Sequence, residues 1–189
     1  MSGTTINADT QLAKPGQDKV EVNGDSVLLT ATPGGRAELR LPSINPQDFV
    51  AQFRVQVISG QGIYELAFHI TPALEQAVAI YPEGKLAILR SQVARPSGAP
   101  PGLPNPFLFG PEQKIAADDG KPVAVSVSVL GPDITVSLDG KEAAHVSNRA
   151  DGGNMAFWAA PDATAKETFV VRLQELSVYN QGATSQRGQ

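Results

Sequence analysis

From Val123 to Lys141 the chain reads VAVSVSVLGPDITVSLDGK. Val123, Val125, Val127 and Val129 alternate with Ala124, Ser126 and Ser128, which places apolar side chains on one face of an extended strand and small or polar ones on the other. Gly131-Pro132-Asp133 interrupts the run, a second alternating stretch follows, and Asp139-Gly140 closes it, the turn chemistry of antiparallel hairpins. The stretch predicts a β-meander in a sheet with one dry side and one wetter side.

The rest of the chain repeats this rhythm. Asn23-Gly24-Asp25, Pro33-Gly34-Gly35, Gly60-Gln61-Gly62, Pro82-Glu83-Gly84 and Asp151-Gly152-Gly153 punctuate short alternating segments, and about a dozen strands emerge. No segment sustains helical periodicity; Ala73 to Ala79 comes nearest and is too short to stand as a helix. So many strands predict two packed sheets or a barrel. In the last segment, Phe169, Val171 and Leu173 share a face, but the next apolar pair is Leu176 and Val178. The slip predicts a bulge near Gln174-Glu175. Residues 95–111, with six prolines and three glycines, predict a long loop rather than a central strand, its Phe107, Leu108 and Phe109 pinned to a surface. Residues 1–14 and 181–189 read as tails around one domain spanning 15–180.

A chain of 189 residues with 41% apolar side chains can bury a full core as a single domain, so it needs neither disulfides nor a structural metal to fold. Cysteine is absent, which removes thiolate chemistry and leaves the compartment open. The 15 basic and 19 acidic residues are scattered without a run of either sign, so no basic footprint for nucleic acid is expected. No stretch approaches the roughly 18 apolar residues of a membrane span. Met1 to Ala8 has no signal-peptide pattern, and a soluble chain is expected. An extracellular or cell-surface location follows if the chain was excised from a longer exported protein, and a virion location is a further option.

Three stretches carry a family resemblance. Asp133 to Lys141 resembles the strand and Asp-Gly turn of the concanavalin A-like jelly-roll superfamily, in particular its laminin-G-like and 3-keto-disaccharide hydrolase (domain of unknown function 1080) modules. Asp151 to Ala159 is similar to their Gly-Gly-x-x-Gly-Leu-Trp strand, with Ala156 where glycine is common, and Thr168 to Tyr179 resembles their closing strand. The resemblance implies an all-β, antiparallel two-sheet jelly-roll sandwich. It leaves activity open, because this fold hosts lectins, glycosidases, protein-binding modules and virion proteins.

The residues themselves argue against catalysis. A retaining glycosidase needs two carboxylates about 5 Å apart, and the Glu-x-Asp-x-x-Glu strand motif that supplies them in related glucanases is absent. No Gly-x-Ser-x-Gly nucleophile elbow accompanies His69 or His145. The candidate ligand-binding surface combines Gln52, Arg54 and Gln56 on one strand with Glu65 and His69 on the next, provided the Gly60-Gln61-Gly62 turn makes the two a hairpin. Trp158, the single tryptophan, faces away from Phe157 and Ala159 and serves either packing or ligand stacking. Asp118-Asp119-Gly120 and Asp151-Gly152-Gly153-Asn154 are candidate calcium loops, though turn formation explains both more simply and neither supplies six oxygens alone.

No cofactor is expected. The reading is a non-catalytic recognition module with a polysaccharide or other glycan as ligand. The alternative is a structural or assembly protein, a surface-layer or virion decoration subunit, with a protein partner or self-association. A glycoside-processing enzyme stands behind both.

Overall fold

The structure, a computed structural model, describes residues 3–5, 18–41, 46–72, 74–92, 107–108, 112–117, 119–147 and 152–181. These form fifteen strands: β1 (Gly3–Thr5), β2 (Lys19–Asn23), β3 (Ser26–Ala31), β4 (Ala37–Leu41), β5 (Phe49–Ser59), β6 (Gly62–Ile70), β7 (Leu74–Tyr81), β8 (Lys85–Gln92), β9 (Phe107–Leu108), β10 (Gln113–Lys114), β11 (Val123–Leu130), β12 (Asp133–Leu138), β13 (Lys141–Ser147), β14 (Asn154–Pro161) and β15 (Phe169–Asn180). They pair antiparallel in two sheets. Sheet A runs β13-β12-β11-β5-β15-β3-β2, with β1 alongside β15. Sheet B runs β10-β8-β7-β6-β14-β4, with β9 alongside β8. The fold is the antiparallel two-sheet jelly-roll sandwich that the family resemblance implies, and of the two options left by the strand count, sandwich or barrel, it is the sandwich.

The opening meander is β11 to β13. Asp139 and Gly140 both have positive φ, 47° and 78°, as a two-residue type I′ hairpin turn requires, and glycine supplies the second at little steric cost. The Asp139 carboxylate accepts the Ala124 N–H at 3.0 Å and ties this turn to β11.

The alternating apolar residues of both sheets meet in one core. Phe53 packs edge-on against Phe157 with ring centroids 5.4 Å apart, and Phe49 meets Phe68 at the same distance. Phe49, Phe68, Phe157 and Phe169 are fully buried. Each such side chain contributes roughly 1.5–3 kcal/mol by leaving water.

Several expectations are corrected. β5 and β6 are not a hairpin: β5 pairs with β11 and β15 in sheet A, β6 with β7 and β14 in sheet B. The Gly60-Gln61 turn therefore carries the chain from one sheet to the other. Gly3–Thr5, expected within a tail, pairs with Ser177 to Tyr179. Phe107 and Leu108, expected within the loop, pair with Arg90 and Leu89 at the edge of sheet B. The remainder of the proline-rich stretch, residues 95–106 and 109–111 with Phe109 among them, lies outside the described residues, as do 182–189. The bulge in β15 is present: the register against β5 shifts between Gln174 and Ser177, and Glu175 takes φ 54°.

A second bulge, in β6, was not anticipated. The pairing with β14 shifts between Asn154 and Ala156, so that Asn154 faces Ile70 and Ala156 faces Ala67. His69 absorbs the extra residue at φ 51°. Gly153 packs directly on this bulge, where a Cβ would come within 2.6 Å of the His69 carbonyl carbon and 2.7 Å of the Ile70 nitrogen. Only glycine permits that approach without displacing backbone.

Candidate functional site

The outer face of sheet B carries two rows of side chains in register. One runs Glu38, Trp158, Glu65, Ala79, Ala87; the next runs Arg40, Ala156, Ala67, Ala77, Leu89. Neighbours in a row are about 4.8 Å apart, the spacing of paired strands. Ala67, Ala77, Ala79, Ala87 and Leu89 form a buried apolar cluster with Ile63, Ile70, Tyr81 and Trp158 packed against it, separate from the main core. The result is an alanine floor that is itself nearly inaccessible, at 0–3% exposure, with the Trp158 and Tyr81 rings on its flanks.

Polar groups border this floor. On β4, Glu38 receives Arg36 Nη2 and Arg40 Nε, each at 2.7 Å. The Arg36 guanidinium lies 5.2 Å from the centre of the Trp158 ring, a cation–π arrangement. Arg36 is set by Asp18, whose carboxylate accepts the N–H of Thr32 at 2.8 Å, its hydroxyl at 2.9 Å and the N–H of Arg36 at 3.2 Å. On the opposite flank Lys85 Nζ lies 4.5 Å from the centre of the Tyr81 ring and bridges to Glu112 at 2.8 Å. A hollow of about 260 Å³ opens among Arg36, Arg40, Glu75, Asn154 and Trp158.

Glu65, only 4% exposed, is the most perturbed group of this face. Burial pushes its carboxyl up to about 8, Glu75 adds to the rise and Arg36 opposes it. Burial also raises Glu75, with Arg36 pulling the other way and Glu38 adding to the rise. Burial, and after it the charge of Glu65, raises Tyr81. At neutral pH Glu65 is thus a protonated carboxyl that can both donate and accept hydrogen bonds. Trp158 Nε1 is buried and has no partner among the described residues. A polar hydrogen left in that state favours an acceptor brought by something else.

The residues expected to form one binding surface are spread over three places. Gln52, Arg54 and Gln56 lie together on the outer face of sheet A. There Arg54 Nε meets Glu175 at 3.2 Å, Gln56 Nε2 donates to the Gly120 carbonyl at 2.7 Å, and Arg172 approaches Gln56 at 3.4 Å. Gln52 and Arg54 border a shallow hollow with Ser126, Ser137 and Tyr179. Glu65 and Trp158 are cross-strand neighbours on sheet B.

His69 belongs to neither outer face. The bulge turns it into the core, 2% exposed, edge-on to Phe68 and Phe49. Its Nε2 lies 3.0 Å from the Gln47 carbonyl and its Nδ1 lies 2.8 Å from Gln76 Oε1. A carbonyl only accepts, so Nε2 carries the hydrogen and Nδ1 of the uncharged ring is an acceptor. Turning the Gln76 amide over presents its Nε2 to Nδ1 and pairs the one nitrogen of that side chain otherwise left without a partner. His69 is a hydrogen-bonded core residue.

The sequence reading did not select Arg36, Glu38, Arg40, Glu75 or Tyr81. The available signal was the alternation in Arg36-Ala37-Glu38-Leu39-Arg40, which puts three charges on one face of a short strand. For the calcium loops, Asp118 and Asp151 lie outside the described residues, and Asp119 binds Lys121 at 2.6 Å. Among the described residues no three His, Asp or Glu side chains cluster as metal ligands. Nor is there, among the described residues, a helix long and apolar enough to cross a membrane.

No protein-family model matches the chain, and no curated protein does. Solved structures do. A carbohydrate-binding module, CBM66 from Bacillus subtilis, superposes with a TM-score of 0.63 at 11% identity over 85% of this chain and 91% of its own. A β-1,3-1,4-glucanase (lichenase) from a mouse hindgut metagenome gives 0.62 at 13% identity over 95% and 98%. Alginate lyase A1-II′, of polysaccharide lyase family 7, gives 0.57 at 14% identity over 85% and 82%. At such identities the likeness is one of fold: the chain is a two-sheet jelly-roll sandwich, an architecture it shares with a carbohydrate-binding module, a glucanase and an alginate lyase.

Proposed function

We propose that the chain is a non-catalytic carbohydrate-recognition module that holds a saccharide in the hollow beside Trp158, on the β4–β14 side of sheet B. The observation that carries the proposal is the hollow of about 260 Å³ in which the half-buried Trp158 ring stands among Arg36, Arg40, Glu75 and Asn154. Sugars present C–H faces that stack on aromatic rings and hydroxyl edges that need donors and acceptors. Trp158 serves the first requirement, and Arg40, Glu75 and Asn154, which line the hollow beside it, serve the second. The carbohydrate-binding module among the structural neighbours supports the ligand class.

Two features support a binding rather than a cleaving role. On β6 the outward side chains are Ile63, Glu65, Ala67 and Ile70, with His69 turned inward, so the strand itself offers a single carboxyl; the second carboxyl near it, Glu75, comes from β7 and not from the same strand. Glu38, two strands away, has both oxygens engaged by arginines. The assembly alternative has less behind it: Ile58 and Leu130 are the large exposed hydrophobics among the described residues, and they stand at opposite ends of sheet A rather than in a patch.

A glycan array probed with the folded chain should show reproducible binding to one glycan class. Trp158→Ala should weaken that binding about tenfold or more, as expected for loss of a stacking platform, whereas Arg54→Ala on the other sheet should leave it unchanged. A blank array with a cooperatively melting protein would overturn the proposal. Because a carboxyl raised toward 8 is also what a general acid requires, reducing-end release should be followed on every glycan bound. Release abolished by Glu65→Gln would make the chain an enzyme.

A further inference from the structure

A second hollow, of about 590 Å³, opens between the two sheets at the end of the sandwich marked by the Asp139-Gly140 turn. Its volume lies within the roughly 300–1,000 Å³ usual for small-molecule sites, and it is distinct from the outer face of sheet B. Tyr64 and Ile80, inward-facing and almost fully buried, form its floor. Ile115, Val123, Leu138 and Ala143 form its walls. These four pack against the main core yet remain partly exposed, so the core is left open here rather than closed by a side chain. Apolar surface left in water forgoes roughly 25 cal/mol per Å² that a matching ligand would recover.

The mouth carries Lys114, Lys121 and Lys141 with Asp119, Asp139 and Glu142, and their placement separates the two signs. Lys141 stands directly opposite Leu138 across the β12–β13 turn, and Leu138 lines the core side of sheet A, so Lys141 stands on that side too. Two of the acids bordering the hollow are already engaged. Asp139 accepts the Ala124 N–H and Asp119 holds Lys121. Glu142 pairs with Ser137, on the alternate, outward side of β12. Lys141 and Lys114 have no acidic partner among the described residues within ion-pair distance.

We propose that this opening is a second binding site, for a small amphipathic anion whose apolar body enters between the sheets against Tyr64, Ile80 and Leu138 and whose carboxylate or sulfonate rests at the mouth near Lys141. The site differs from the saccharide hollow in position and floor: it opens between the two sheets onto Tyr64, Ile80 and the aliphatic side chains of the main core. An uncommitted ammonium at an apolar entrance selects for charge at one end of the ligand.

Fluorescence titration of the full chain with anilinonaphthalene sulfonate tests this, followed by competition with decanoate and with decanol. One saturable site with a micromolar Kd is expected, displaced by decanoate at a concentration at least about tenfold below that of decanol. Lys141→Glu should weaken binding about tenfold or more with no change in Tm. Val123→Trp, which fills the throat, should abolish it, with Ala143→Phe as a second filler if the first variant does not melt cooperatively. Both kinds of variant should leave glycan binding unaltered. Absence of saturable binding to the folded chain, or binding unchanged in the filled variants, would overturn the site. Equal displacement by decanol, or no effect of Lys141→Glu, would overturn the anion preference.

Discussion

The two sheets have similar inner faces and opposite outer ones. The outer face of sheet A presents Ser126, Ser128, Thr135, Ser137, Gln52, Arg54 and Gln56, half-buried or exposed. That is the solvated side usual for an antiparallel sheet over a core. In sheet B the corresponding side holds Ala67, Ala77, Ala79 and Ala87, all nearly inaccessible, with a buried glutamate among them. A sheet dry on both sides is ordinary inside a larger assembly of layers; here only one of the two sheets has that character. The difference teaches that the polar strand residues most visible in the sequence mark the wet side of the sandwich, while the chemically perturbed groups sit on the other sheet.

The most severe way to break this contrast is to place a charge on each face. Ala79→Lys puts an ammonium at a position with no exposed surface and should destabilise the fold by about 3 kcal/mol or more. Ser128→Lys on sheet A should stay within about 0.5 kcal/mol of the parent. Urea unfolding measures both. Equal losses would mean that the faces do not differ as described.

A titration sharpens the contrast next. Glu65 and Glu75 have folded-state values above the ordinary 4.5, so the folded chain keeps protons that the unfolded chain releases. Their contribution is complete below about pH 4.5 and is lost as pH rises, Glu65 finishing near 8. Stability should therefore fall across that window, by at most about 1.4 kcal/mol per pH unit for each group. Glu65→Gln cannot ionise and should lose less stability than the parent between about pH 5 and 8. Removing the exposed Arg54–Glu175 pair of sheet A should leave the slope intact. Superimposable pH profiles for parent and Glu65→Gln would show that this carboxyl ionises normally in the folded chain.

The same contrast explains what the sequence disclosed. Alternation is a local signal, so the meander from Val123 to Leu138 and the slip between Leu173 and Leu176 were both legible. Which strands share a sheet is a long-range property. Nothing in Ser59-Gly60-Gln61 distinguishes a hairpin from a crossover, and the grouping of Arg54 with Glu65 failed there. Tyr64, Leu66, Phe68 and Ile70 alternate without a break in the sequence, yet the bulge sends His69 inward and leaves Ile70 with the outer cluster. No glycine at position 69 announced it; the glycine that permits it is Gly153, immediately before the neighbouring strand β14. Arg36 and Glu38 went unselected for a similar reason, since their importance derives from Trp158 more than a hundred residues later.

Asp18 offers the finest test of how that edge is built. Its carboxylate binds Thr32 twice and the Arg36 N–H once, around a turn closed by the Gly35 N–H to the Thr32 carbonyl at 2.8 Å. A hydrogen bond to a charged acceptor contributes about 1.5–3 kcal/mol in net terms when buried and less at a half-exposed site such as this one. Asp18→Ala should therefore lower stability by roughly 1–2 kcal/mol and release Arg36 from the indole. Loss of one cation–π contact, about 0.5–1 kcal/mol, predicts glycan binding weakened roughly two- to fivefold and a changed emission from the single tryptophan. Arg36→Ala should reproduce the binding and emission changes with a smaller loss of stability. If Asp18→Ala lowers Tm but leaves Trp158 emission and glycan affinity as they were, the turn holds the fold without positioning Arg36, and Trp158 meets its ligand without help from the guanidinium.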